Sequence, residues 1–305
     1  MVSLLTSRAP RPRTSVNQPT RGYRVFQGVN GVILTLVVLV TLYPFVNIIA
    51  RSFSGERQIR AGEVTLWPEG FNLTTYRIVF QDSMFWRNYG NTVLYTVVST
   101  VIAMALTTCY AYVLSKRNLK GRGVLVGVAV FTMFFTGGLI PNYVLVTSLG
   151  LKNSVWAIAL PNAISVFNLL VMKAFFESLP TELEEAAEID GLSAYGILLR
   201  VVLPLSKAVI ATMVLFYSVS FWNSWFSAYL YMDRTELMPA TVYLRNLISG
   251  ATTGGNAGAG TEQLSQVGAN IQAVTIVLTS LPILCVYPFV QRYFVSGVML
   301  GAVKG

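Results

Sequence analysis

The sequence predicts an all-α, polytopic membrane protein with six transmembrane helices, on three observations. Hydrophobic residues make up 54% of the 305-residue chain and charged residues only 11%, against about 25% charged in an ordinary soluble domain. The few charges are gathered so that six long runs carry none: Val25–Ala50, Asn88–Ser115, Gly123–Leu151, Asn153–Met172, Ala208–Met232 and Gln263–Gln291. The basic residues are divided unequally between alternate connections. The runs are 26, 28, 29, 20, 25 and 29 residues long. A helix needs about 20 apolar residues to cross a ~30 Å hydrocarbon core at ~1.5 Å per residue. A transmembrane β-barrel would need short alternating strands instead.

Residues 1–24 carry Arg8, Arg11, Arg13, Arg21 and Arg24 with no acid, which predicts a cytoplasmic start by the positive-inside rule. The apolar run that follows is too long for a secretory signal. Six crossings return the C-terminus to the same side, and the inside segments then hold 14 basic residues against 8 outside. On this topology a basic cytoplasmic segment, 1–24, precedes a membrane domain over 25–295, and 296–305 is a cytoplasmic tail. The net charge of +9 follows from topology, so no nucleic-acid partner is needed to explain it. The glycine-rich stretch Gly250–Gly260 reads as a flexible outward loop.

Several chemistries are excluded by what is missing. The chain has no histidine, which removes His-based general bases, His zinc sites and Ser–His triads together. Cys109 and Cys285 both fall inside the apolar runs and read as buried small hydrophobes. No G-x-x-x-x-G-K-[ST] phosphate loop occurs, so neither a nucleotide, another cofactor nor a metal is expected on this chain. An intramembrane enzyme would be left with carboxylates outside the spans. A secondary, ion-coupled transporter of a small polar solute would be expected to carry ionisable groups within its spans, and the six runs have none.

The connection between the fourth and fifth runs is the exception to this oily composition. It holds six of the thirteen acidic residues: Glu177, Glu182, Glu184, Glu185, Glu188 and Asp190. Each carboxylate near the bilayer centre would cost about 2.5–3.5 kcal/mol, so the segment belongs in water. Thr181-Glu182-Leu183-Glu184 reads as a capping box with Thr181 as N-cap, and the helix dipole favours the acids crowded into the first turns. Leu183 and Ala187 share a face at i, i+4 spacing, with Ala186 beside them. Gly191 supplies a left-handed residue to end this helix. Ser193 then caps a second short helix running through Tyr195 and Leu198 towards Leu203, and Pro204 interrupts the chain before the fifth span. Acids interleaved with Leu183, Ala186, Ala187 and Ile189 fit an amphipathic helix better than a metal site. Small and apolar residues held on a water-exposed helix predict a docking surface for another protein.

The pattern Glu185-Ala186-Ala187, three residues, Gly191, nine residues, Val201-x-Leu203-Pro204 resembles the EAA signature of permease subunits in ABC importers, E-A-A-x3-G-x9-I-x-L-P, with Val201 in place of Ile. The resemblance covers roughly Gly31 to Gly305. Asn72-Leu-Thr-Thr-Tyr76, Asn91-Thr92, Phe221-Trp222-Asn223-Ser-Trp225 and Gly301-Ala-Val-Lys-Gly305 look like the carbohydrate branch, similar to the smaller maltose-type permease subunit. Gly137-Gly-Leu-Ile-Pro141, Asn142-Tyr143 and Leu281-Pro-Ile-Leu-Cys-Val-Tyr-Pro288 look closer to permeases for complex oligosaccharides, including the alginate type.

That resemblance implies a type I ABC importer permease fold. It also implies a second permease subunit, two ATPase subunits carrying Mg-ATP, an extracytoplasmic solute-binding protein and a sugar substrate. Coupling would run through the loop 177–204, with Glu185, Ala186, Ala187, Asp190, Gly191, Leu203 and Pro204 in the docking element. Gly301, Lys304 and Gly305 of the tail would contact the ATPases.

The fifth run also carries a candidate sugar path. Tyr217, Phe221 and Trp225 step at i, i+4 along one helical face, with Trp222 and Asn223 beside them. Aromatic faces with a nearby amide suit stacking on sugar C–H surfaces and bonding to hydroxyls. The same residues equally suit helix packing and an interfacial aromatic belt, and both readings stay open from sequence.

Overall fold

The computed structural model describes residues 21–253 and 270–297, with side-chain surroundings for 22–246 and 270–285. Every regular element among the described residues is helical. The described residues open with α1 (Arg21–Ser52), pass through short α2 (Glu56–Ala61) and α3 (Thr74–Gln81), and enter α4 (Ser83–Ser115). Then come α5 (Arg122–Phe134), α6 (Leu139–Ser148), α7 (Trp156–Ala159) and α8 (Val166–Glu177). The acidic segment forms α9 (Thr181–Ile189), α10 (Ala194–Ile197), a π-helical turn (Leu198–Val202) and α11 (Leu203–Leu205). Next are α12 (Lys207–Trp222), α13 (Trp225–Tyr231), α14 (Ala240–Thr253) and α15 (Ile271–Gly297).

The described helices do not by themselves give six transmembrane helices. Only α1 and α4, 32 and 33 residues long, are both continuous and apolar enough within the described residues to cross a membrane. The third run is a bent pair, α5 and α6, meeting at 111°, with Gly138 at φ +84° in the break. The fourth is split into four-residue α7 and twelve-residue α8 by Pro161 and its neighbours. The fifth breaks at Asn223 and Ser224, between α12 and α13. Counting charges measured apolar length, and these breaks are made by glycine, proline and an amide, which carry no charge. The run of α14 to Thr253 also makes the start of the expected Gly250–Gly260 loop helical; the rest of it lies outside the described residues.

α4 is the axis of the bundle, packed between α8 and α12. Ser99, Ala103, Thr107 and Ala111 recur every four residues along it, all at 0% exposure. Small side chains on one stripe let neighbouring helix backbones approach closely, the usual source of helix association where lipid supplies no hydrophobic drive. α1 stands outside this core, leaning on α15, with its apolar residues facing outward. Cys109 and Cys285 are exposed rather than buried. They sit on outward helix faces of this chain, so an apolar run is no guide to burial within the subunit.

Candidate functional site

The acidic element is pinned from below and open above. Ala187, Ile197, Leu198 and Val202 are buried in one apolar cluster with Tyr112 and Leu114 of α4, Met172 and Phe176 of α8, and Met213 of α12. Two ion-pair clusters fasten its edge. Lys116, in the turn after α4, pairs with Glu184 and lies 4.2 Å from the centre of the Tyr112 ring. Arg122 pairs with Glu177, which also takes Lys173 at 2.9 Å. Burial pulls the Lys116 ammonium below its ordinary value, and the nearby Glu188 charge offsets part of that. These three cations counted only towards topology in the sequence; the partners of Lys116 and Arg122 are some 50 residues or more away, and only the Lys173–Glu177 pair, at i, i+4, has a spacing that the sequence shows.

The local turn chemistry explains the shape. Gly191 takes φ +80°. Its N–H donates to the Glu188 carbonyl at 2.9 Å, and the Leu192 N–H to the Ala187 carbonyl at 3.0 Å. That pair of bonds is a Schellman closure, and Leu192 folds back on the cluster that holds Ala187. Ser193 Oγ accepts from the Gly196 N–H at 3.3 Å and caps α10, as expected. Thr181 does not cap α9. The capping position falls to Pro180, with no side-chain bond, and Thr181 lies inside the first turn while Glu184 is occupied by Lys116. Leu203 is half-buried against the cluster and Pro204 exposed. The chain turns through 88° between Leu205 and Lys207 into α12.

The expected docking face is thereby divided. Ala187 turns inward, while Glu185, Ala186, Asp190 and Gly191 are exposed. Beside them stand two large apolar side chains, Ile189 at 88% and Tyr195 at 76% exposure. Apolar tips this open, on a segment too acidic for lipid, suit contact with another protein.

The fifth-span aromatics do not act as one stripe. Tyr217 and Phe221 stack, ring centres 6.2 Å apart, but α12 ends at Trp222 and the helix break carries Trp225 off their line. Trp222 is buried and its indole N–H donates to the Thr279 carbonyl of α15 at 2.9 Å. The exposed Asn223 bonds back to the Val219 carbonyl, and the Arg245 guanidinium lies 4.0 Å above the Trp225 ring. Tyr217 and Phe221 instead line a groove of about 830 Å³ between α12 and the Pro161–Asn168 segment, with Asn162, Ser165 and Asn168. The Tyr217 hydroxyl accepts from the Ser165 N–H at 2.9 Å and lies 2.6 Å from the Thr107 hydroxyl. The groove's lining carries no charge. Its proline, amides and hydroxyls gave no helical-face signal in the sequence. The tail residues Gly301, Lys304 and Gly305 lie outside the described residues.

The profile of binding-protein-dependent transport system inner membrane components matches residues 121–300, which spans the acidic element and the groove. The chain belongs to this family. The permease is 41% identical to the protein LplC of Bacillus subtilis (strain 168) over 286 residues, covering 94% of this chain and 97% of that one. It is 39% identical to the polygalacturonan/rhamnogalacturonan transport system permease protein YtcP of the same organism, over 89% of this chain and 96% of that one. A chain in the crystal structure of a bacterial ABC transporter involved in import of the acidic polysaccharide alginate superposes with a TM-score of 0.81. It is 34% identical, with 90% of this permease and 98% of that chain covered. The all-helical ABC permease fold and the membrane-embedded transport class expected from the sequence are thus established.

Proposed function

We propose that this permease forms one membrane half of an ATP-driven importer of a carbohydrate, and that its element 177–204 seats on an ATPase subunit. The observation that carries the docking reading is the divided surface of α9 and α10, packed by Ala187 on one side and presenting Glu185, Ala186, Ile189 and Tyr195 on the other. An element pinned at its base and turned rigidly at Gly191 would transmit closure of the ATPases to α12 as a lever. The Glu185 charge would orient the contact more than strengthen it.

The remaining assembly follows the family: a second permease subunit, two ATPase subunits binding Mg-ATP, and an extracytoplasmic solute-binding protein. This chain would supply the six-crossing domain 25–295, with broken helices completing the third to fifth crossings. The segments 1–24 and 296–305 would lie in the cytoplasm, Gly301, Lys304 and Gly305 reaching the ATPases. This subunit would carry no ATPase motif, cofactor or metal of its own. A relative named for polygalacturonan/rhamnogalacturonan transport and a solved neighbour involved in alginate import support an oligosaccharide as the substrate. The groove beside Tyr217 and Phe221, which joins ring faces to amides and hydroxyls, would be this subunit's share of the path.

The test uses the purified four-subunit complex. Glu185→Lys should leave the complex in the membrane but release the ATPase subunits or uncouple their sugar-stimulated ATPase activity. Full coupled transport by this variant would overturn the docking assignment. Removing residues 301–305 should alter ATPase activity with assembly intact.

A further inference from the structure

A second recess, apart from the docking face and the groove, opens at the polar end of α5. It has a volume of about 540 Å³ and is lined by Arg117, Arg122 and Lys173 with Gly121, Gly123 and Val124. Its charges do not balance. Arg122 and Lys173 share the single carboxylate of Glu177, and Arg117 has no ion-pair partner among the described residues. Burial, and then the charge of Arg122, pull the Lys173 ammonium below its ordinary value.

Directly beyond this cationic end, α5 becomes apolar and stays exposed. Val124, Val128 and Phe131 follow one another on one face at 70%, 56% and 58% exposure. Phe135, just past the helix end, stacks on Phe131 with ring centres 4.4 Å apart. Basic pockets at the polar ends of membrane helices suit anionic headgroups, and an apolar face running away from such a pocket suits an acyl chain. The order of charge and apolar surface along α5 matches a ligand that is anionic at one end and apolar along the rest.

We propose that this recess binds the phosphate headgroup of an anionic diacyl phospholipid, with an acyl chain laid along the exposed face of α5. A free phosphate would use only the cationic end, and another protein would not require the continuity between the two.

The test places the purified complex in nanodiscs of phosphatidylcholine with or without phosphatidylglycerol, then measures lipid retained on extraction by native mass spectrometry. Phosphatidylglycerol should be retained in preference to phosphatidylcholine. Arg117→Gln should lower that retention about fivefold, the usual weight of one basic residue at an anionic surface. Lys120→Gln, the same charge change in the same turn but outside the recess, should leave it unchanged. Gly123→Leu should lower it without a change of charge, since a Cβ there has open space around it and the added side chain, at a residue lining the recess, would occupy it. Excess inorganic phosphate should not displace the lipid. Equal retention of the two lipids, equal losses with Arg117→Gln and Lys120→Gln, or displacement by phosphate would each overturn the proposal. So would an Arg117→Gln complex that loses a protein subunit while keeping its lipid.

Discussion

At residue scale the most telling contrast is between Ala186 and Ala187, adjacent and chemically identical. Ala187 is buried against the α4–α8–α12 cluster and Ala186 is exposed. Ala187→Leu should therefore overpack a closed site and destabilise the protein by about 1–3 kcal/mol, read as lower thermal stability in detergent and lower membrane yield. Ala186→Leu should leave both unchanged and reduce co-purification of the ATPase subunits, because its bulk would stand in the docking contact. If both variants behave alike, the face has been divided wrongly. At Gly191 the constraint is conformational. With φ at +80° and open space around a Cβ, Gly191→Ala should cost about 1–2 kcal/mol from the left-handed backbone alone. That loss should be measurable as thermal stability, without the larger penalty of a clash.

At the scale of elements, the turn at Gly191 and the cap at Ser193 were legible in the sequence, whereas the breaks inside the apolar runs and the features that depend on distant partners were not. Gly191 and Ser193 act as their chemistry demands. Thr181 fails as a cap although its motif is complete, because Pro180 takes the capping position and Lys116 takes Glu184. The i, i+4 spacing of Tyr217, Phe221 and Trp225 holds only while the helix continues, and the break at Asn223 carried no signal that a charge count could register. The groove depends on long-range contacts of the same kind. Tyr217→Phe would remove the acceptor for the Ser165 N–H and the partner of the Thr107 hydroxyl. An unpaired buried donor costs about 1–3 kcal/mol, so this variant should lose thermal stability and shift the sugar concentration needed to stimulate ATPase activity. Trp225→Leu, outside the groove, should leave that concentration unchanged. A Trp225 variant that raised it while Tyr217→Phe did not would move the path to α13.

Over the whole molecule, the described parts of the six apolar runs fold into helices that only partly coincide with straight crossings, and the bent pair α5 and α6 interrupts one of them with a turn. The orientation proposed for that arrangement rests on charge: 14 basic residues on one set of connections and 8 on the other, with Lys and Arg preferring the cytoplasmic side. On that proposal Ser193, in the turn before α10, would lie on the cytoplasmic side. Glu69, exposed between α2 and α3, falls on the other. Because Cys109 and Cys285 are exposed on the helix faces, the measurement needs a background in which both are replaced by Ala. In intact cells, Glu69→Cys should then react with a membrane-impermeant thiol reagent, and Ser193→Cys should react only after the membrane is opened. The same pair reports on docking, since bound ATPase subunits would cover Ser193 and slow its labelling in inverted vesicles until they are stripped off. Labelling at Ser193 in intact cells would reverse the topology, and with it the placement of the acidic element against a cytoplasmic ATPase.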